Sequence, residues 1–209
     1  SDKKPYSLEV VEFGSFELYQ KIVMWQKSNS MKKIWRSLSS QELKDFEKIN
    51  VDDFGLFNPT FTQKFLMFIA QKSFLKRGQL RRVISYLIHS IRKKPLDVYF
   101  RDCAFRLHYN RRNHIQDGLL VNPEYNFNDI EFLLDGSDPN SNFVDIGANI
   151  GLYSLPLARS TPEGKVIAID ANPLMIEQLR FNAAASKLTN LEIIFSAVSN
   201  KTGYGSLTI

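Results

Sequence analysis

At 209 residues the chain has room for one sizeable domain with an extension, or for two small ones. Its 44% hydrophobic and 23% charged residues exclude a disordered or fibrous chain. No apolar run approaches the ~20 residues that span a bilayer, and the start of the chain lacks an apolar signal region. A single cysteine, Cys103, rules out an intrachain disulfide and a thiol metal cluster. A cytoplasmic location is expected. The net charge of +5 is unevenly spread: residues 1–115 hold 22 Lys and Arg against 11 Asp and Glu, residues 116–209 hold 5 against 11. A basic half suits an anionic glycan, a membrane surface or a nucleic acid, but its ordinary meaning is solvated helix faces.

Residues 1–58 read as short helices. Phe16, Tyr19, Val23 and Met24 recur at helical spacing, and Ser39-Ser-Gln-Glu42 is a capping-box pattern ahead of Leu43, Phe46 and Ile49. Asn58-Pro59 opens a further helix over 61–75, and Gly78 breaks the pattern. Leu80, Val83, Ile84, Leu87, Ile88 and Ile91 then form an apolar stripe, with Arg81, Arg82, Ser85, His89 and Arg92 on the other face. That helix suits peripheral membrane contact, or more ordinarily core packing with a solvated polar face. After Pro95 the period becomes two: Leu96, Val98, Phe100 and Phe105, Leu107, Tyr109 predict a β-hairpin over 96–109. A short helix over 129–135 ends at Gly136. From Phe143 strand, turn, helix and strand alternate, the pattern of βαβ units and a parallel sheet.

The strand Asn142–Ile146 runs directly into Gly147-Ala-Asn-Ile-Gly151. Gly147 permits a tight turn, Gly151 permits the following helix to pack close, and the amides at that helix start are expected to face the crevice beyond the strand ends. The glycine spacing is Gly-x-x-x-Gly, not the Gly-x-Gly-x-x-Gly of dinucleotide sites. Asp145, two positions before Gly147, would repel a pyrophosphate but tolerate a ligand with an ammonium and a sulfonium. This difference favours S-adenosylmethionine over a nicotinamide cofactor. The second strand, Lys165–Asp170, ends in an acid 19 residues after Gly151, placed to accept hydrogen bonds from a ribose diol. Asn172-Pro173 caps the next helix. A third strand, Leu191–Val198, brings Ser196 and Ala197 to the adenine edge, and a fourth starts at Gly205.

Three stretches resemble the FkbM-type methyltransferase family: Phe143-Val-Asp-Ile-Gly-Ala-Asn-Ile-Gly-Leu-Tyr-Ser154, Gly164-Lys-Val-Ile-Ala-Ile-Asp-Ala-Asn-Pro173 and Ala197-Val-Ser-Asn200. The resemblance implies an α/β, Rossmann-like methyltransferase sheet, incomplete at its first four strands, after an α-helical region and a hairpin. The resemblance covers about residues 78–209, a partial methyltransferase domain with its cofactor-binding core at 142–209, and leaves 1–77 as the helical extension read from spacing above. Asp145, Gly147, Ala148, Asn149 and Gly151 would surround the methionine part of S-adenosylmethionine. Asp170 would hold the ribose, and Ser196 and Ala197 would border the adenine. Three departures stand out: Asp170 where the family has Glu, Asn126 where an acid is common, and Pro156 inside the first crossover helix at an expected cost of ~3 kcal/mol. The family's later strands are absent, so the expectation is a fragment, a decayed gene, or a sheet completed by another copy of the chain.

The expected activity is methylation of a sugar, glycan or natural-product hydroxyl, with no nucleic-acid partner. A non-catalytic binding or assembly module with a degenerate core is the rival, and an NAD-linked enzyme a weaker third. No base and no metal site is legible. His108 and His114 read as solvated or hairpin residues.

Overall fold

The computed structural model describes residues 6–12, 53–74, 78–108, 114–122, 124–200 and 203–207, the first and last of these by backbone alone. The helices expected near residues 16–27 and 43–49, the Ser39 capping box and Tyr109 lie outside the described residues. The N-terminal region is not wholly helical, because its first described element is a strand, β1 (Tyr6–Glu12). Two helices follow, α1 (Phe61–Lys72) and α2 (Gly78–Ser90). The start of α1 is fixed by a capping box in which the Thr60 hydroxyl accepts from Gln63 N and Gln63 Oε1 accepts from Thr60 N.

The hairpin forms as its alternation predicts, from β2 (Leu96–Phe100) and β3 (Cys103–Leu107). Arg101 and Asp102 both take positive φ, 48° and 58°, which suits the twist of a two-residue hairpin turn. Both faces of the hairpin are covered. Asp97 and Arg106, directly opposite across the ladder, are both buried and pair with Nε–Oδ1 2.8 Å and Nη2–Oδ2 3.0 Å. The guanidinium lies over Phe181 and Phe57, and Asp97 also accepts from the amides of Gly55 and Phe57. One salt bridge thus ties the segment before α1 to the hairpin.

Two further helices lead to the sheet: α3 (His114–Val121) and α4 (Phe127–Asp135), the latter closed by Gly136 as expected. Then β4 (Phe143–Ile146), α5 (Ser154–Ser160), β5 (Val166–Asp170), α6 (Pro173–Ala185) and β6 (Leu191–Phe195) make a parallel sheet of order β4-β5-β6. This is the Rossmann-like α/β arrangement. The sheet differs from expectation in its last strands. Residues 191–198 do not form one strand: the chain breaks at Ser196, and β7 (Ala197–Ser199) pairs parallel with β1. The next strand, β8 (Gly203–Leu207), pairs antiparallel with β1. Among the described residues the parallel sheet therefore has three strands, and the fourth expected strand belongs to a second sheet, β7-β1-β8.

The core runs without a break from Ala70 and Ile88 through Leu96, Phe105 and Leu107 to Ile150, Leu155, Ala168 and Leu179. Each large buried side chain contributes about 1.5–3 kcal/mol relative to exposure. The weak amphipathicity of α6 has a cause. Gln178, Asn182 and Ser186, spaced four apart, carry polar groups to the outer edge of β3. Ser186 Oγ accepts from Ala104 N, Asn182 Oδ1 from Arg106 N, and Gln178 Nε2 donates to Arg106 O. The helix side chains thus stand in for a neighbouring strand.

Two expectations about polar residues are corrected here. Ser85 and His89, assigned to the solvated face of α2, are buried, while Leu80, Val83, Leu87 and Ile91 from the apolar stripe are exposed. The helix is rotated so that the Ser85 hydroxyl donates to Asp117 of α3 at 2.5 Å. His108 is also buried, with its amide donating to Gln116 Oε1, whereas His114 is exposed. Pro156 does not interrupt a helix interior. It is the third residue of α5, in the first turn, where a missing N–H costs little.

Candidate cofactor site

The eight residues singled out in the sequence come together at the carboxyl ends of β4, β5 and β6. Asp145 lies in β4, and Gly147, Ala148, Asn149 and Gly151 form the loop after it. Asp170 ends β5, Ser196 follows β6, and Ala197 opens β7. Hydrogen bonds fix them to one another. Gly147 N and Ala148 N both donate to Ile169 O, at 2.8 and 3.0 Å, and Ser196 N donates to Asp170 O at 3.1 Å.

The two glycines serve different needs. Gly147 has φ +83°, and no atom lies within 4 Å of where a Cβ would stand, so the backbone faces open space there. Gly151 has φ +97°, and a Cβ would collide with Leu155 and Leu179. The close approach is therefore to side chains of α5 and α6, not to the strand that the motif led one to expect. Asn182 Nδ2, donating to Ile150 O, links the loop to α6 and so to the hairpin.

The loop amides are not open to the crevice as expected. Besides those of Gly147 and Ala148, Asn149 N donates to Asp170 Oδ2, Ile150 N to Asn149 Oδ1, and Gly151 N to Ala148 O. Five successive amides therefore have acceptors within the chain. A pyrophosphate needs such amides as its donors, and this loop spends them internally.

Two carboxylates mark the site instead. Asp145 accepts a 2.5 Å hydrogen bond from Ser154 Oγ. Burial pushes its carboxyl above the usual carboxylate range; the Ser154 hydroxyl opposes the rise and the charge of Asp170 adds to it. Asp170 accepts from Asn149 N and Asn172 N, one on each oxygen. Each oxygen keeps a second lone pair for a diol. The residues fit a ligand with a cationic end and a ribose better than one with a diphosphate.

A polar group the sequence did not reveal borders the loop. Asn126 Nδ2 donates to the Tyr153 hydroxyl at 2.7 Å, which donates to Asp129 Oδ2 at 3.2 Å, joining the head of α4 to the start of α5. Asn126 holds φ 50°, a left-handed conformation that Asn tolerates. Burial raises the Tyr153 hydroxyl's pKa, and the negative charge of Asp129 raises it further, against the opposing bond from Asn126. The sequence marked Asn126 only as a departure from the family pattern, and its partners Tyr153 and Asp129 carried no signal of their own. Among the described residues no His, Cys, Asp and Glu cluster could hold a metal ion, and no helix is long and apolar enough to cross a membrane.

No family profile matches the chain, so the FkbM-type resemblance gains no support at that level. The chain is 38% identical over 69 residues to "Probable ribosomal RNA small subunit methyltransferase A" of Methanosphaera stadtmanae, covering 32% of this chain and 25% of that one. It is 32% identical over 94 residues to a 23S rRNA (uracil(1939)-C(5))-methyltransferase of Shewanella sediminis, covering 45% of this chain and 20% of that one. The chain thus spans a quarter or less of the length of these relatives. Among solved structures, M. jannaschii TYW2 in complex with AdoMet shares 23% identity over 50% of this chain and 44% of that one, with a TM-score of 0.41. A methyltransferase from Agrobacterium tumefaciens shares 18% over 48% and 32%, with a TM-score of 0.40. The β4-β5-β6 topology is that of a Rossmann-like α/β fold, and the curated relatives that match part of the chain are methyltransferases. They also correct one expectation. Both curated relatives are methyltransferases of ribosomal RNA, so the reading that excluded a nucleic-acid partner does not stand. The sequence showed the basic half but not which of its residues share an exposed face.

Proposed function

We propose that the chain is the cofactor-binding part of an S-adenosylmethionine-dependent methyltransferase whose acceptor is RNA. The observation that carries the cofactor reading is the loop of residues 147–151, which spends its amides internally between two carboxylates, Asp145 and Asp170. Asp145 faces the cationic methionine end, Asp170 accepts from the ribose diol, and Ser196 with Ala197 borders the adenine. Ala148 and Asn149 carry the turn, and Gly147 and Gly151 keep it open and close-packed. When bound, S-adenosylmethionine supplies an electrophilic methyl on a sulfonium that departs as a neutral thioether. The chain's own part is alignment: it orients the ligand and excludes water from one side. The RNA reading draws on the two relatives and on the basic first half. A second reading, methylation of a sugar or natural-product hydroxyl, is favoured by the likeness of Phe143–Ser154 to FkbM-type enzymes.

Calorimetric titration with S-adenosylmethionine and with NAD tests the cofactor. Saturable heat with the first alone, weakened at least tenfold in Asp170→Ala, is expected, since each hydrogen bond to a charged acceptor contributes about 1.5–3 kcal/mol. No heat from folded protein would return the non-catalytic module to first place. Incorporation of labelled methyl into total RNA rather than polysaccharide separates the two acceptor readings.

A further inference from the structure

From Phe54 to Leu96, 43 consecutive residues hold nine Lys and Arg and no Asp or Glu. Within this run α1 exposes Phe61, Lys64, Phe65, Phe68 and Lys72. Their spacing, i, i+3, i+4, i+7 and i+11, puts them on one face of the helix. Phe61 is 86% exposed, and Phe65 and Phe68 are more than half exposed. These rings are not a core stripe turned the wrong way. The opposite side of α1 is already docked through buried Gln63 and Ala70, with Gln63 Nε2 donating to Ile88 O of α2 at 3.0 Å. Arg92, Lys93 and Lys94 are exposed just beyond α2, and Arg92 Nη1 reaches Asn58 O, which sets this basic turn beside the Phe61 end of α1. The acid that ends the run, Asp97, is neutralised by Arg106 in the core.

We infer that this face of α1, extended by the Arg92–Lys94 turn, is a docking surface for single-stranded RNA, an inference that rests on the RNA reading above. Rings alternating with cations match a strand whose bases stack and whose phosphates pair, without need for a particular sequence. A lipid surface matches less well. A helix lying in a bilayer interface keeps its cations to one side and its rings to the other. Here Lys72 stands one turn beyond Phe68 and about two beyond Phe65, so its charge projects from the ring face. Phe74, also exposed, continues the ring series past the end of α1.

The test is fluorescence anisotropy of the full chain with labelled single-stranded RNA of about 20 nucleotides, longer than the ~4–16 that one groove occupies, across a salt series. Wild type is expected to bind saturably. Lys64→Gln with Lys72→Gln should reduce the log–log salt slope by about 1.4, at ~0.7 per phosphate on a single strand. Phe65→Ala with Phe68→Ala should weaken binding at least tenfold while leaving the slope unchanged. All four side chains are exposed, so melting temperature and S-adenosylmethionine titration should match wild type in both variants. No RNA binding by wild type, or variants that bind as wild type does, would overturn the inference. Ring-dependent binding to phosphatidylcholine–phosphatidylglycerol vesicles without RNA binding would overturn it in favour of a lipid surface. A ring-dependent dimer in sedimentation without RNA binding would overturn it in favour of a second copy. Wild type that binds RNA but no S-adenosylmethionine would instead overturn the methyltransferase reading and leave this surface standing.

Discussion

Two aspartates, Asp97 fully buried and Asp145 half-buried, are treated differently by the chain. Asp97 has a full set of partners: two bonds from Arg106 and two backbone amides from the segment before α1. Among the described residues Asp145 has only Ser154, through its hydroxyl and its backbone amide, no cation, and a second carboxylate nearby that makes its charge costlier. A buried carboxylate whose oxygens are all engaged holds elements together. One left under-compensated by its own protein is placed to gain from a ligand that brings positive charge.

The comparison can be broken first at its structural end. Arg106→Met removes the guanidinium but leaves Asp97 buried, so the fold should lose about 3–5 kcal/mol, read as a large drop in denaturation midpoint. If stability hardly changes, the pair is not what joins the 53–57 segment to the hairpin. Gly151→Ala comes next. It combines a positive φ with a collision against Leu155 and Leu179, and about 2–3 kcal/mol of stability should go with it.

Asp145→Asn should leave stability at neutral pH unchanged or slightly higher, because an aspartate raised by burial is a liability once ionised. The group contributes most below its unfolded pKa and loses that contribution as pH rises through its folded, raised pKa. Ligand affinity should run the other way. S-adenosylmethionine binding to wild type should weaken on acidification at a higher pH than an exposed aspartate would dictate, and calorimetry on Asp145→Asn should show weaker, flatter binding. A matching pH profile in both proteins would mean Asp145 does not meet the cation. Smallest of all, Pro156→Ala should change the melting free energy by less than about 0.5 kcal/mol, since the ring sits in the first turn of α5.

The shape of the loop after β4 was legible because its demands are local. A glycine at a tight turn, a glycine under a helix and an acid at each strand end act within a few residues of themselves, and Asp145, Gly147, Gly151 and Asp170 all sit where the spacing put them. What escaped was set by distant partners. Leu191–Val198 reads as one strand, yet Ser196 donates its amide to Asp170 and Ala197 is captured by Val10. The Asp97–Arg106 pair looked like the polar side of an alternating hairpin, because nothing in its own sequence announces that Phe57 and Phe181 will cover it. Likewise the α2 pattern gave a helix but not its rotation, which Ser85 and Asp117 decide across elements. Even the internal use of the loop amides depends on Asp170 and Ile169, a full crossover away from the residues they serve.

The pairing of β1 with β7 and β8 has a consequence for how the chain is made. The strand nearest the N-terminus leaves the ribosome early, yet both its partners are translated almost at the end of this sequence. At ~5–20 residues per second, β1 waits on the order of ten seconds or more without its neighbours. Closing so long a loop also comes late for entropic reasons. The hairpin and the three parallel strands can assemble meanwhile from nearby segments, leaving the β7-β1-β8 sheet to be completed last. Newly made protein should therefore gain a compact core before it gains its second sheet.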